Sequence, residues 1–233
     1  MLRHFLSGSF SLQDGVMQIL AVCMIVFLVM PLHELAHGFI AYKLGDNTAK
    51  NMGRLTFNPT AHIDIWGALM ILAVGFGWAK PVPINPRNFK NPKAGMALCA
   101  LAGPVSNLIA AFLGSCFYNL SLISYYGGII NVNICNLLMI FFNYFIVINV
   151  SLAVFNLIPI PPLDGSKILF AFLPDRIVYK FYKYEQYFSI ALILFVATGI
   201  LTAPLSKLQM LMTSLIVSLS ELIFNPIFVA MIA

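Results

Sequence analysis

Long apolar runs decide what this chain can fold into. A helix needs about 20 mostly apolar residues to span the hydrocarbon core of a bilayer. Five stretches reach or approach that length: Val16 to Leu44, Ala94 to Leu120, Ile129 to Ile158, Gln186 to Ala203 and Leu205 to Phe224. Of the 233 residues, 61% are hydrophobic and only 9% are charged, against about 25% charged in soluble domains. One water-soluble core of this size cannot cover so much apolar surface. Lipid must cover the rest, so the sequence predicts an all-α polytopic membrane protein with a three-helix core and two further C-terminal spanning helices.

Shorter pieces fill the gaps. Trp66 to Ala79 has 14 residues, too few to span, and reads as a re-entrant or interfacial segment. Arg54-Leu55-Thr56-Phe57-Asn58 alternates between Gly53 and Pro59, which signals a small β-hairpin or edge strand. Trp78 to Pro92 holds four prolines and predicts an extended loop. No long polar linker, internal repeat or appended soluble domain is evident, and the first apolar run continues without a signal-peptide cleavage site. Residues 1–233 are therefore expected to form one membrane domain, with a core over about 13–175 and added helices over about 184–233.

The net charge of +5 fits topology signalling. Residues 43–93 hold seven Lys and Arg, residues 167–183 hold four, and Ser121 to Asn133 holds none. Positive charge collects in cytoplasmic loops, which puts the first two stretches inside and the third outside. No basic face interleaved with aromatics appears, so a nucleic-acid partner is not expected. Cys23, Cys99, Cys116 and Cys135 all lie in apolar stretches without a C-x-x-C pair and read as small packing residues.

Inside the first apolar run stands His33-Glu34-Leu35-Ala36-His37. Residues four apart share a helix face, so both imidazoles can reach one ion. Zinc suits two neutral nitrogens plus a carboxylate and keeps a position for water. Glu34 can then take that water's proton. Ionisable groups inside a span are costly, which argues against filler. A third ligand has few candidates. Asp164 is the best placed: three prolines before it, in Pro159-Ile160-Pro161-Pro162-Leu163-Asp164-Gly165, break the helix near membrane depth, where irregular backbone must line a cavity or protein. His62 and Asp64 are the runners-up, with capping of the Trp66 segment as their ordinary role. His4 reads as bland. In the second run, Gly103-Pro104-Val105-Ser106-Asn107 offers a close helix approach and an amide at membrane depth. That amide could stabilise an oxyanion or simply bond another helix; the residues alone leave both open. Asn156 faces the same choice, and packing is favoured for Asn149.

Taken together, His33 to His37, Gly103 to Asn107 and Asn156 to Gly165 resemble the motifs of the site-2 protease family of intramembrane zinc metalloproteases. Gly77-Trp78-Ala79-Lys80-Pro81-Val82-Pro83-Ile84-Asn85-Pro86-Arg87 looks like the compact subgroup without PDZ or CBS domains. The resemblance covers roughly residues 13–205. It departs at His62-Ile63-Asp64-Ile65, where such proteins usually have proline in the fourth place. It implies zinc held by His33, His37 and Asp164, Glu34 as base, Asn107 assisting, and cleavage of transmembrane protein or peptide substrates within or near the bilayer. Leu55 and Phe57 are expected to hold unwound substrate by strand addition, and Gly75 to Pro86 to form a gate or cavity lining. The expected location is the cell membrane, multi-pass, with the active site toward the cytoplasm. Rival readings are a membrane metal-ion transporter and a catalytically inactive membrane chaperone, which would be expected to lack the base.

Overall fold

The computed structural model describes residue 20, residues 23–74 and residues 77–232. His4, the first part of the Val16 to Leu44 run, and Gly75 and Phe76 of the expected gate lie outside these residues. Among them the chain is helical, without a strand. Helix α1, Ile25–Lys43, opens with a π-helical turn, Ile25–Val29, closed by the Met30 N–H on the Ile25 carbonyl. Turns of that kind often sit beside functional residues, and this one ends four residues before His33. The short α2, Thr48–Asn51, and α3, Ile65–Val74, precede the long α4, Pro92–Tyr126, and α5, Val132–Asn156. Two small helices follow, α6 (Asp164–Phe170) and α7 (Asp175–Lys183), then α8 (Glu185–Thr198) and α9 (Thr202–Ile232).

Four of these helices, α1, α4, α5 and α9, are long and apolar enough to cross a membrane. Their outer faces stay apolar: Leu113, Leu137, Leu215 and Leu222 are all exposed, as lipid-facing residues should be. α3 has ten residues, about 15 Å of helix, and so matches the short segment expected at Trp66. The expected span over Gln186 to Ala203 comes out shorter. α8 has 14 residues and stops at Gly199, whose φ of 74° is left-handed, a conformation glycine adopts without penalty. α9, by contrast, runs through Pro226 instead of ending there; only one backbone donor is lost by that proline.

The chain forms two compact units that divide between Gly103 and Pro104, inside α4. In the first, Val26 packs with Met30, Ile63 and Ala68, and Ala41, Phe89 and Cys99 pack with Ile40, Leu44, Ile84 and Met96. In the second, Ala111, Ile146, Val150, Val154 and Ile216 form the core. Gly114 lets Phe145 lie close, since a Cβ there would fall 2.8 Å from its ring.

The expected hairpin at residues 54–58 is not formed. Local hydrogen bonds take the groups a strand would offer. The Arg54 N–H donates to the Ala49 carbonyl at 2.8 Å, the Asn58 N–H to the Thr56 hydroxyl at 3.1 Å, and the Thr56 carbonyl meets the His62 ring at 2.9 Å. Asn58 then caps the 3-10 turn Pro59–Ala61. Side chains of this type compete with strand pairing for the backbone.

Candidate metal centre

α1 brings His33 and His37 to one face, one turn apart. Both are buried, their rings meet edge-on at 4.6 Å and 87°, and their Nε2 atoms are 3.0 Å apart. The Nδ1 of His37 lies 2.6 Å from the Cys99 carbonyl. A carbonyl only accepts, so Nδ1 carries the proton and Nε2 of the neutral ring keeps its lone pair. Orientation of a metal-binding imidazole by a carbonyl on its other nitrogen is the usual arrangement. Two nitrogens on a tetrahedral zinc stand about 3.3 Å apart, close to the spacing found here.

α4 makes room for the pair. Cys99 and Gly103 are one turn apart on it, the first supplying the carbonyl and the second supplying space. A Cβ on Gly103 would fall 2.5 Å from Cε1 of both rings and from Nε2 of His37. Only glycine fits there without moving an imidazole. The sequence pointed to Gly103 as a close-approach residue; the neighbour it accommodates is the histidine pair. This cradle and the donor set together suit a borderline-soft dication such as zinc.

Glu34, partly buried, accepts a hydrogen bond at Oε2 from the Val82 N–H at 2.9 Å. Neither this bond nor the Cys99 carbonyl was foreseen from sequence. The available signals were Cys99 lying four residues before Gly103 and Val82 standing between two prolines.

Asp164 is buried at the first position of α6, ion-paired with Lys167 at 3.1 Å. Its neighbour Gly165 has no space for a side chain: a Cβ would overlap the carbonyls of Leu157 and Ile158. Glycine at 165 is thus dictated by the backbone that precedes it. Asn107 is 1% exposed, and neither side-chain atom has a hydrogen-bond partner among the described residues. Asn149 and Asn156 differ, since their amides donate to Phe145 and Leu152 one turn back.

The runners-up have structural employment. Asp64 accepts from the Gly67 N–H at 2.8 Å and so caps α3. His62 bonds the Thr56 carbonyl through its ring and the Lys80 N–H through its own carbonyl. Phe57 is 78% exposed, and Leu55 is half-buried against Gly38.

An H-E-x-x-H helix with both histidines buried, in a multi-pass membrane chain, defines a membrane-associated zinc metalloprotease. Comparison with known proteins agrees. The sequence profile of Peptidase family M50 matches residues 19–198. The chain is 45% identical over 183 residues to "Putative zinc metalloprotease YwhC" of Bacillus subtilis (strain 168), covering 78% of this chain and 82% of that one. It is 27% identical over 143 residues to "Putative zinc metalloprotease Rip2" of Mycolicibacterium smegmatis (strain ATCC 700084 / mc(2)155), covering 58% and 50%. No solved structure matches. The chain belongs to peptidase family M50, and zinc is its metal.

Proposed function

We propose that this protein hydrolyses peptide bonds within or near transmembrane segments of membrane-protein substrates, as one catalytic domain in the cell membrane. His33, His37 and Asp164 hold zinc, Glu34 is the general base and Asn107 stabilises the transition state. The observation that carries the reading is the buried histidine pair, with the His37 tautomer fixed by the Cys99 carbonyl, in a helix long enough to span. Chemistry placed in such a helix acts on bonds at membrane depth. The Asp164 assignment is supported by its burial at the start of α6, just after a proline-broken segment. The site opens toward the cytoplasm on this reading, because Lys and Arg gather after α1 and α5 and are absent from 121–133, and positive charge collects on the cytoplasmic side.

Bound zinc supplies Lewis-acid polarisation of the scissile carbonyl and acidifies a water molecule. Glu34 takes the proton of the attacking water and passes it to the leaving amine. Asn107 donates its amide N–H to the carbonyl oxygen as negative charge develops there. A helical substrate hides its carbonyls in its own hydrogen bonds and must unwind first. The exposed Phe57 and its neighbour Leu55 hold the unwound segment through apolar contact, and the local bonds at 54–58 must yield if it pairs as a strand.

The test is to map the cut. A single-span test protein is reconstituted with the wild type and with Glu34→Gln, and the products are sequenced by mass spectrometry. New termini inside or within a few residues of the apolar span, formed only by the wild type, are expected. Cuts confined to soluble tails contradict the proposal.

A further inference from the structure

Lys80-Pro81-Val82-Pro83-Ile84-Asn85 passes the Glu34 face of α1 and is tied down on both sides. The Lys80 N–H donates to the His62 carbonyl at 2.9 Å, and Arg54 Nη2 donates to the Lys80 carbonyl at 2.6 Å. At the far end the Asn85 N–H donates to Asp46 Oδ2 at 2.7 Å. Between these ties lies the bond from the Val82 N–H to Glu34 Oε2. Pro81 and Pro83 have no N–H, so Val82 carries the sole backbone donor in the triplet. Its side chain is buried. Gly38, one turn after Glu34, leaves room for it: a Cβ at Gly38 would fall 3.0 Å from Val82 Cγ1 and 2.9 Å from Leu55 Cδ2.

We infer that Val82 is a positioning residue for catalysis: its backbone N–H holds one oxygen of the Glu34 carboxylate so that the other faces the reacting water. This rests on Glu34 being the base. A free glutamate on a helix turns through several rotamers. A charge-assisted bond from a main-chain amide, itself pinned at both ends, selects one. The flanking prolines keep the segment extended, so the donor stays aimed.

Two changes remove the N–H while keeping the segment extended. Val82→Pro does so with an encoded residue, and the α-hydroxy analogue of valine at position 82, introduced by nonsense suppression, does so with the side chain intact. Val82→Ala keeps the N–H. Each full-length protein, with Glu34→Gln beside it, is assayed in vesicles on a quenched-fluorescent single-span peptide, and its zinc is measured. Expected is a fall in kcat of about tenfold or more for the two N–H-less proteins, with KM and zinc content unchanged. Val82→Ala, which keeps the N–H, should retain more of kcat than either N–H-less protein. If Val82→Pro loses zinc, the ester protein decides alone. Wild-type kcat in the ester protein, or a fall in Val82→Ala as large as in Val82→Pro, overturns the inference. Glu34→Gln separates the two claims: if it cleaves as the wild type does, the base assignment fails, whatever Val82 does.

Discussion

Asn107 is buried with neither polar atom of its side chain hydrogen-bonded among the described residues. A buried amide with both polar atoms unbonded loses about 1–3 kcal/mol relative to a bonded one, and an apolar residue of similar size would avoid the loss. Function is a reason to keep it. Asn107→Ala is therefore expected to leave the thermal unfolding temperature unchanged or raise it, while kcat falls about 10²–10³-fold. A lower unfolding temperature with unchanged kcat would assign the amide to packing. At this scale the sequence was most readable where the partners are local. His33 and His37 are four residues apart, and a helix dictates that they meet. The carbonyl that fixes the His37 tautomer comes from 62 residues away, and the amide on Glu34 from 48 away. No spacing rule reaches across such separations.

The loops after α1 are organised around Asp46. It is buried and accepts from the Thr48 N–H and hydroxyl, the Asn85 N–H and the Asn88 side chain. Burial alone would raise its pKa, but the hydrogen bonds from Thr48, Asn85 and Asn88 together outweigh it and hold the carboxyl below the ordinary aspartate value. A depressed folded pKa adds stability that is complete above the unfolded value of about 3.9 and is lost as pH falls through the folded value. The gap in unfolding temperature between wild type and Asp46→Asn should thus be constant above about pH 5 and shrink below about pH 4. A gap that widens on acidification would reverse the sign and contradict this account. Asp46 went unnoticed in the sequence as a hub because its donors at Asn85 and Asn88 lie in a separate proline-rich loop. Element boundaries failed for similar reasons. The period-two pattern at 54–58 is real, but Thr56 and Asn58 spend it on local turns. α8 ends at Gly199 because a left-handed residue closes it, which the apolar run itself conceals. The long spans, set by apolar length alone, were legible as helices, though α4 ends at Tyr126 and α9 at Ile232, beyond the expected Leu120 and Phe224.

At the scale of the molecule, the described residues form four helices capable of spanning and two compact units, each with its own apolar core. Their lipid-facing leucines show why 61% hydrophobic residues are needed. Membership in peptidase family M50 joins that architecture to zinc-dependent proteolysis. The fold class was evident from composition because burying so much apolar surface without lipid is physically excluded. The roles of His33, Glu34 and His37 are a claim about one helix. The most direct measurement is zinc stoichiometry and turnover on the same purified preparations of wild type, Glu34→Gln and His37→Ala. The account predicts about one zinc per chain in the first two, loss of zinc from His37→Ala, and cleavage of a membrane-spanning substrate by the wild type alone. Full zinc in His37→Ala, or wild-type turnover by Glu34→Gln, would contradict it.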